Sequence, residues 1–351
     1  MGTKLRPITN LQEQPIGWRN GIIVNTGSSR FLFDPTLGRR LGEDWNVFIT
    51  HAHSDHTYGF GTSAKKHSTP ETLRIYESLS KRTVKNDRAI RIGEKIRFDD
   101  TEIRVLDAGH MLGSCQFQLI APEFTALYTG DINCVNTLTT KAAETEHCDF
   151  LIIEATYGHP SYVFPPRDTI YADIIRWTMT EINGDKLPTF QVYSSGKPQD
   201  IVRLFNVYTK IPVVCAPRIA AANLVHNENG VQLEYLDSST VDGKHALRSR
   251  GCVYVTTAKG DHVPHKSSRA VATGWALREA YRSFTAFPLS SHADYNQLMQ
   301  FIAAVNPKQV FIFTGYIELL SIQIERKLGI KAGPLPLLSQ TKLVDFTRMP
   351  T

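Results

Sequence analysis

The run His51-Ala-His53-Ser-Asp55-His56 constrains this chain more than any other six residues. It follows Trp45–Thr50, an apolar segment that reads as a strand. In extended chain His51 and His53 project to the same side, and a turn at Ser54 brings Asp55 and His56 toward a neighbouring point. Neutral imidazoles and one carboxylate are what zinc prefers, and two pairs from one loop suit two adjacent ions. With only 12 histidines in 351 residues, three in this register argue against a chance histidine-rich loop. The five cysteines (Cys115, Cys134, Cys148, Cys215, Cys252) are widely spread and contain no Cys-x-x-Cys pair. A disulfide framework and a zinc ribbon are both excluded on that pattern, so a metal must be held by histidine and carboxylate.

Further ligands are expected at other strand ends. His110, in Asp107-Ala-Gly-His-Met-Leu-Gly-Ser114, follows the strand Ile103–Leu106, and its flanking glycines let backbone come close to a metal. Asp131, in Tyr-Thr-Gly-Asp-Ile-Asn, follows the strand Ala126–Thr129. A carboxylate can bridge two cations, a role imidazole cannot fill. The expected arrangement is one ion at His51, His53 and His110, with Asp131 bridging to a weaker one at Asp55 and His56.

At roughly 100–200 residues per domain, the length predicts two domains. A composition of 42% hydrophobic and 21% charged residues excludes disorder, collagen and coiled coil. No apolar run is long enough to span a bilayer, and the N-terminus carries no apolar core of a secretory signal. A cytoplasmic protein without a membrane partner is therefore expected. The net charge of +5 is compatible with a polyanionic partner. Short strands fill the first half, among them a hairpin of Ile22–Val24 and Phe31–Phe33. After Pro160–Pro166 strands alternate with helical patterns, the mark of a small parallel α/β unit, and the first texture returns after Phe284.

The series HxHxDH, GHxxGS and TGD, each after a strand, resembles the metallo-β-lactamase fold, and Asp34 in Phe-Asp-Pro-Thr matches that fold's early structural aspartate. Glu154 in Leu-Ile-Ile-Glu-Ala-Thr-Tyr-Gly and His292 in Pro-Leu-Ser-Ser-His-Ala-Asp extend the resemblance to the β-CASP nucleases. So do Ser195-Gly-Lys-Pro-Gln199 and Ala272-Thr-Gly-Trp275. Within that group the chain is most similar to the compact prokaryotic exonuclease-type members, which include bacterial ligase-associated exonucleases; polyadenylation-factor-like nucleases are further relatives.

The resemblance implies an αββα sandwich with an inserted α/β domain. The implied limits are 1–165 for the first part of the sandwich, 166–284 for the insertion and 285–351 for the return. It also implies a nuclease that hydrolyses phosphodiesters with metal-activated water. The cofactor would be two zinc ions, the second site weak, with manganese an alternative. Asp55, Glu154 and His292 are the catalytic candidates, with His292 as general acid and Glu154 holding it cationic.

Ser194, Ser195, Gly196 and Lys197 before a helix read as a phosphate cradle, and Tyr157 and Trp275 as base-stacking aromatics. The expected partner is single-stranded DNA or RNA, in DNA repair or RNA processing. An association with a ligase or helicase is implied by the resemblance alone.

One position departs from the family. RNA-cleaving members end the strand after the helix that follows Ser-His-Ala-Asp with a zinc-binding His-Gly, whereas this chain has Thr314-Gly315. A neutral hydroxyl is a poor zinc ligand. The departure tilts the expectation toward DNA, while the resemblance implies exonuclease action on single-stranded ends. The alternatives are an RNA-processing endo- or exonuclease of the polyadenylation-factor type, or another hydrolase of the fold.

Overall fold

The computed structural model describes residues 15–36, 45–257 and 264–338. Strand β1 (Ile16–Trp18) precedes the predicted hairpin of β2 (Ile22–Asn25) and β3 (Arg30–Phe33). Strands β4 (Asn46–Phe48), β5 (Lys65–Ser68) and β6 (Asp87–Ala89) extend this first sheet in parallel. Helix α1 (Pro70–Ser80), which the sequence reading did not anticipate, starts at Thr69, whose Oγ1 accepts from the Thr72 amide at 3.2 Å.

The second sheet begins as an antiparallel meander of β7 (Lys95–Phe98), β8 (Thr101–Asp107), β9 (Cys115–Ile120) and β10 (Thr125–Tyr128). Strand β11 (Phe150–Ala155) joins β10 in parallel.

The chain then leaves these two sheets. Helix α2 (Arg167–Asn183) starts behind Pro166, which takes the cap position, and Asp168 falls in its first turn. Six strands form a third sheet in which every pairing is parallel: β12 (Leu187–Val192), β13 (Val213–Cys215), β14 (Leu236–Asp237), β15 (Val253–Thr257), β16 (Ser267–Ala272) and β17 (Thr285–Phe287). Its helices include α3 (Lys197–Tyr208), α4 (Pro217–Glu228) and α5 (Val241–Ser249). Because β17 pairs with β16, hydrogen bonding carries this sheet to Phe287, past the limit at 284.

Helix α6 (Tyr295–Val305) then begins in a capping box: Asp294 accepts from the Gln297 amide at 2.9 Å and its own amide donates to Gln297 Oε1. Strand β18 (Gln309–Gly315) returns to the second sheet beside β11, and β19 (Lys331–Pro334) follows α7 (Ile317–Leu328) at its edge.

The buried side chains define the layers. Phe31, Phe33 and Phe48 of the first sheet meet Ile103, Phe117 and Tyr128 of the second. The outer face of the second sheet packs Leu151, Ile153, Val310 and Ile312 against Leu298, Ile302 and Val305 of α6 and Leu320 of α7. The outer face of the first packs Leu32 and Val47 against Leu73 and Tyr76 of α1. This is the expected αββα sandwich, with an α/β unit inserted between β11 and α6. No described helix is long and apolar enough to cross a membrane.

Gly315 closes the seam between β11 and β18. Its φ is +85°, and a Cβ there would stand 2.0 Å from the Ala155 carbonyl oxygen. Left-handed strain and overpacking together should make Gly315→Ala cost about 2–5 kcal/mol in urea unfolding. A variant as stable as the parent would show that the backbone relaxes freely at this seam.

A candidate metal centre beside a histidine–carboxylate pair

Strand ends converge at one edge of the sandwich. His51 and His53 follow β4, His110 lies between β8 and β9, and Asp131 follows β10. Gly130 makes the last placement possible: its φ is +55° and a Cβ would press on the Thr50 side chain at 2.8 Å.

Ligand atoms from His51, His53, His110 and Asp131 all lie within 4.8 Å of one another. His51 Nε2 is 3.2 Å from His53 Nδ1, and His110 Nε2 is 3.1 Å from the same atom. The outer ring nitrogens decide what faces inward. His110 Nδ1 sits 2.7 Å from the Ser291 carbonyl, and His53 Nε2 sits 3.3 Å from the Ser195 carbonyl. Carbonyls only accept, so those outer nitrogens carry the protons. Thr50 Oγ1 spends its proton on Asp34 Oδ2 at 2.6 Å and so accepts from His51 Nδ1 at 3.0 Å. Three imidazole lone pairs therefore face one another beside the Asp131 carboxylate. Only a cation satisfies that arrangement, so the donor set fits a divalent metal.

Burial keeps these three rings neutral. It pushes His51 and His110 well below the ordinary histidine value, helped by neighbouring histidines, and takes His53 down to about 4.

His56 differs. Its Nδ1 donates to Asp34 Oδ2 at 2.8 Å, and its Nε2 lies 3.6 Å from Asp131 Oδ2. Burial opposes a charge there, but Asp131 and Asp34 prevail and raise its pKa to about 10. This side of Asp131 favours a positive charge, which a metal ion can supply in place of the proton. Asp55 stands at the rim, its side chain 77% exposed and its carboxylate 3.7 Å from His56 Nε2. Asp55 and His56 thus lie next to the convergent group rather than inside it.

Glu154, at the end of β11, is buried and accepts from His292 Nδ1 at 2.8 Å, from the Ile132 amide at 2.9 Å and from Thr156 Oγ1. Burial raises the cost of its charge, but the charge and hydrogen bond of His292 hold its pKa below the usual value. Burial likewise opposes the His292 imidazolium, yet Glu154 and Asp131 raise its pKa. Each group thus favours the charged form of the other. The His292 ring packs 4.5 Å from the His110 ring, and Asp131, Glu154 and His292 form a second convergent group.

A cleft of about 750 Å³ opens over both groups. Its walls include Ser194, Ser195 and Lys197 at the start of α3, Arg218 on α4, and Trp275 and Thr314. Ser195 Oγ is buried without a partner, and burial lowers Lys197 to about 8. Gly196 comes 3.8 Å from His53 Nε2 at its would-be Cβ. Tyr157 is a correction to the sequence expectation. It is 3% exposed and locked among Tyr162, Phe164 and Trp275, so it offers no open face to a base. Trp275 is half-buried, with the Arg278 guanidinium 3.9 Å over its ring. Thr314 pairs in register with Glu154 across a bulge at Phe313, and its exposed side chain faces the cleft.

Sequence reasoning missed the groups that set the tautomers. The carbonyls of Ser195 and Ser291 have no residue-type signature, and Thr50 looked only like a strand end. The Arg167 guanidinium, which bonds Asp200 at 2.7 Å and the Ser290 carbonyl at 2.9 Å beside His292, was also unread.

Residues 284–315 match RMMBL, described as the Zn-dependent metallo-hydrolase RNA specificity domain. A "Probable DNA ligase" of Opitutus terrae is 30% identical over 325 residues, covering 87% of this chain and 30% of that protein. An "RNase J-like protein" of Methanocaldococcus jannaschii is 29% identical, over 53% of this chain and 51% of its own length. The "5' exonuclease Apollo" of Rattus norvegicus is 24% identical, over 78% of this chain and 51% of its own length. The chain thus spans between 30% and 51% of these curated relatives. A crystal structure of a protein of unknown function from Enterococcus faecalis V583 superposes over 84% of this chain and 90% of its own, with a TM-score of 0.58 and 14% identity, a likeness of fold alone. With the αββα sandwich, the inserted parallel sheet and the convergent histidines already in place, these matches make the chain similar to the β-CASP nucleases of the metallo-β-lactamase fold.

Proposed function

We propose that this protein is a zinc-dependent nuclease that hydrolyses phosphodiester bonds at single-stranded ends, DNA ahead of RNA. The observation that carries this reading is the pairing, in one cleft, of a lone-pair cluster at His51, His53 and His110 with the hydrogen-bonded His292–Glu154 pair. Asp131 lies between them and belongs to both convergent groups.

When bound, a divalent ion supplies Lewis acidity toward phosphodiester oxygens and lowers the pKa of a water. The chain's own residues do the rest. Lys197 and Arg218 give the cleft cationic walls for a phosphate backbone. Glu154 fixes the His292 ring through Nδ1, which leaves Nε2 to hand a proton to the departing oxygen. Asp55 and His56, beside Asp131, are the residues that would hold a second, weaker ion.

DNA is placed first because Thr314 offers a hydroxyl where RNA-cleaving members of the family carry a histidine. The matched RMMBL description favours RNA as the second reading. Digesting 5′- and 3′-labelled single strands of DNA and RNA of one sequence, with and without chelator, decides between them and gives polarity.

His292→Ala should lower kcat by roughly 10²–10⁴-fold with KM and metal content little changed. Glu154→Gln should lose less, and the double variant little more than His292→Ala alone, since the two act as a unit. Wild-type turnover in His292→Ala would mean no proton comes from this side; loss of metal would make His292 a ligand.

Thr314→His should tighten the weaker of the two zinc-binding events in titrations of stripped protein, because imidazole replaces a hydroxyl on the wall of the cleft that Asp131 also lines. Unchanged affinity and stoichiometry in a folded variant would place that strand end outside the metal centre.

A further inference from the structure

Tyr193 follows β12 and lines the cleft, and its side chain is 74% exposed. Among the described Phe, Tyr and Trp residues of the cleft wall it alone is exposed; the others are buried or half-buried. An aromatic ring left bare in a polar cleft has apolar surface to bury against a ligand. Its position is fixed from both sides. Two residues on, the Ser195 carbonyl receives the proton of His53, which ties the Tyr193 backbone to the histidine cluster. The ring itself lies 6.2 Å from the His53 ring, and Lys197 Nζ sits 5.9 Å from its centroid.

Within the nuclease reading above, on which this step rests, we infer that Tyr193 is the platform on which the nucleobase next to the cleaved phosphodiester stacks. A planar base laid on the ring places its own phosphate toward His53 and Lys197, where the metal-ligand cluster and a cation await it. Every base has a π-face, so the contact tolerates any sequence. It needs a base free of its complementary strand and of its neighbours in the stack, so it selects unpaired ends. Trp275 is less suited, because Arg278 occupies its ring at 3.9 Å.

The test compares single-stranded oligonucleotides carrying a normal base or an abasic analogue at the cleaved nucleotide, with zinc-loaded wild-type, Tyr193→Phe and Tyr193→Ala proteins. On the normal substrate, Tyr193→Ala should lose roughly 5- to 150-fold in kcat/KM, the range of one base–aromatic stack. Tyr193→Phe should keep most of the activity, because the ring and not the hydroxyl does the stacking. On the abasic substrate wild type and Tyr193→Ala should be equally slow, and zinc content and thermal melting should match across the three proteins. Tyr193→Ala losing equally on both substrates would overturn the inference in favour of a structural role, and so would no loss on either. Wild-type protein that cleaves none of the oligonucleotides would overturn the nuclease reading and this inference with it.

Discussion

The Asp34 carboxylate is the contact on which the site depends. Buried at the end of β3, it accepts four hydrogen bonds, from the Thr50 amide at 2.8 Å, Thr50 Oγ1 at 2.6 Å, His56 Nδ1 at 2.8 Å and the Tyr128 hydroxyl at 2.8 Å. A carboxylate this deep is tolerable only when its lone pairs are filled, and here each donor comes from an element that must be placed. Thr50 ends the strand that delivers His51, Tyr128 ends the strand that delivers Asp131, and His56 closes the histidine loop. The residue even takes a left-handed backbone, φ 42°, to turn its side chain inward. One anion thus sets the register of two sheets and fixes two histidines, one directly and one through the Thr50 hydroxyl.

From that anchor the electrostatics divide in two. His51, His53 and His110 are held neutral by burial and mutual repulsion, with lone pairs inward. His56 and His292 flank them with charges favoured by carboxylates. Asp131 touches both sets. In the proposed reaction, histidines of one cleft would thereby take different tasks, the neutral rings holding a cation and His292 carrying a proton. The difference lies in what the second ring nitrogen meets: a carbonyl or hydroxyl in the first case, a carboxylate in the second.

Much of this was readable from the chain. Histidines two apart after an apolar run, a lone histidine between glycines and an aspartate after Thr-Gly report strand ends, because strand geometry has a fixed period. The sandwich and the inserted parallel unit were legible from the texture of the segments. Helix α1 was not, because its half-exposed surface carries few apolar residues and only Thr69-Pro70 marks its start. Tyr157 was read as an open stacking ring, yet its aromatic neighbours lie from Tyr162 to Trp275, too far along the chain for local sequence to show that they enclose it. Tyr193 was passed over for the opposite reason: a tyrosine after an apolar strand looks like core, and only the fold reveals it bare.

The inserted unit reaches the metal centre through its backbone, and this changes what the insertion is for. The Ser195 carbonyl fixes the His53 tautomer, and the Ser291 carbonyl, just past β17, does the same for His110. Two of the three inward lone pairs therefore depend on chain between β12 and α6, not on the sandwich that bears the histidines. Arg167 of α2 braces the same region, joining Asp200 of α3 to the carbonyl of Ser290. Contacts between α1 and α4, with Ile75 and Met111 packed near Val225, hold the two units together. A movement of the inserted unit would thus alter both the width of the cleft and the hydrogen bonds that orient the ligands. The same short stretch of backbone, from Tyr193 to Lys197, lines the cleft and touches His53, so the cleft wall and the orientation of that ring are coupled.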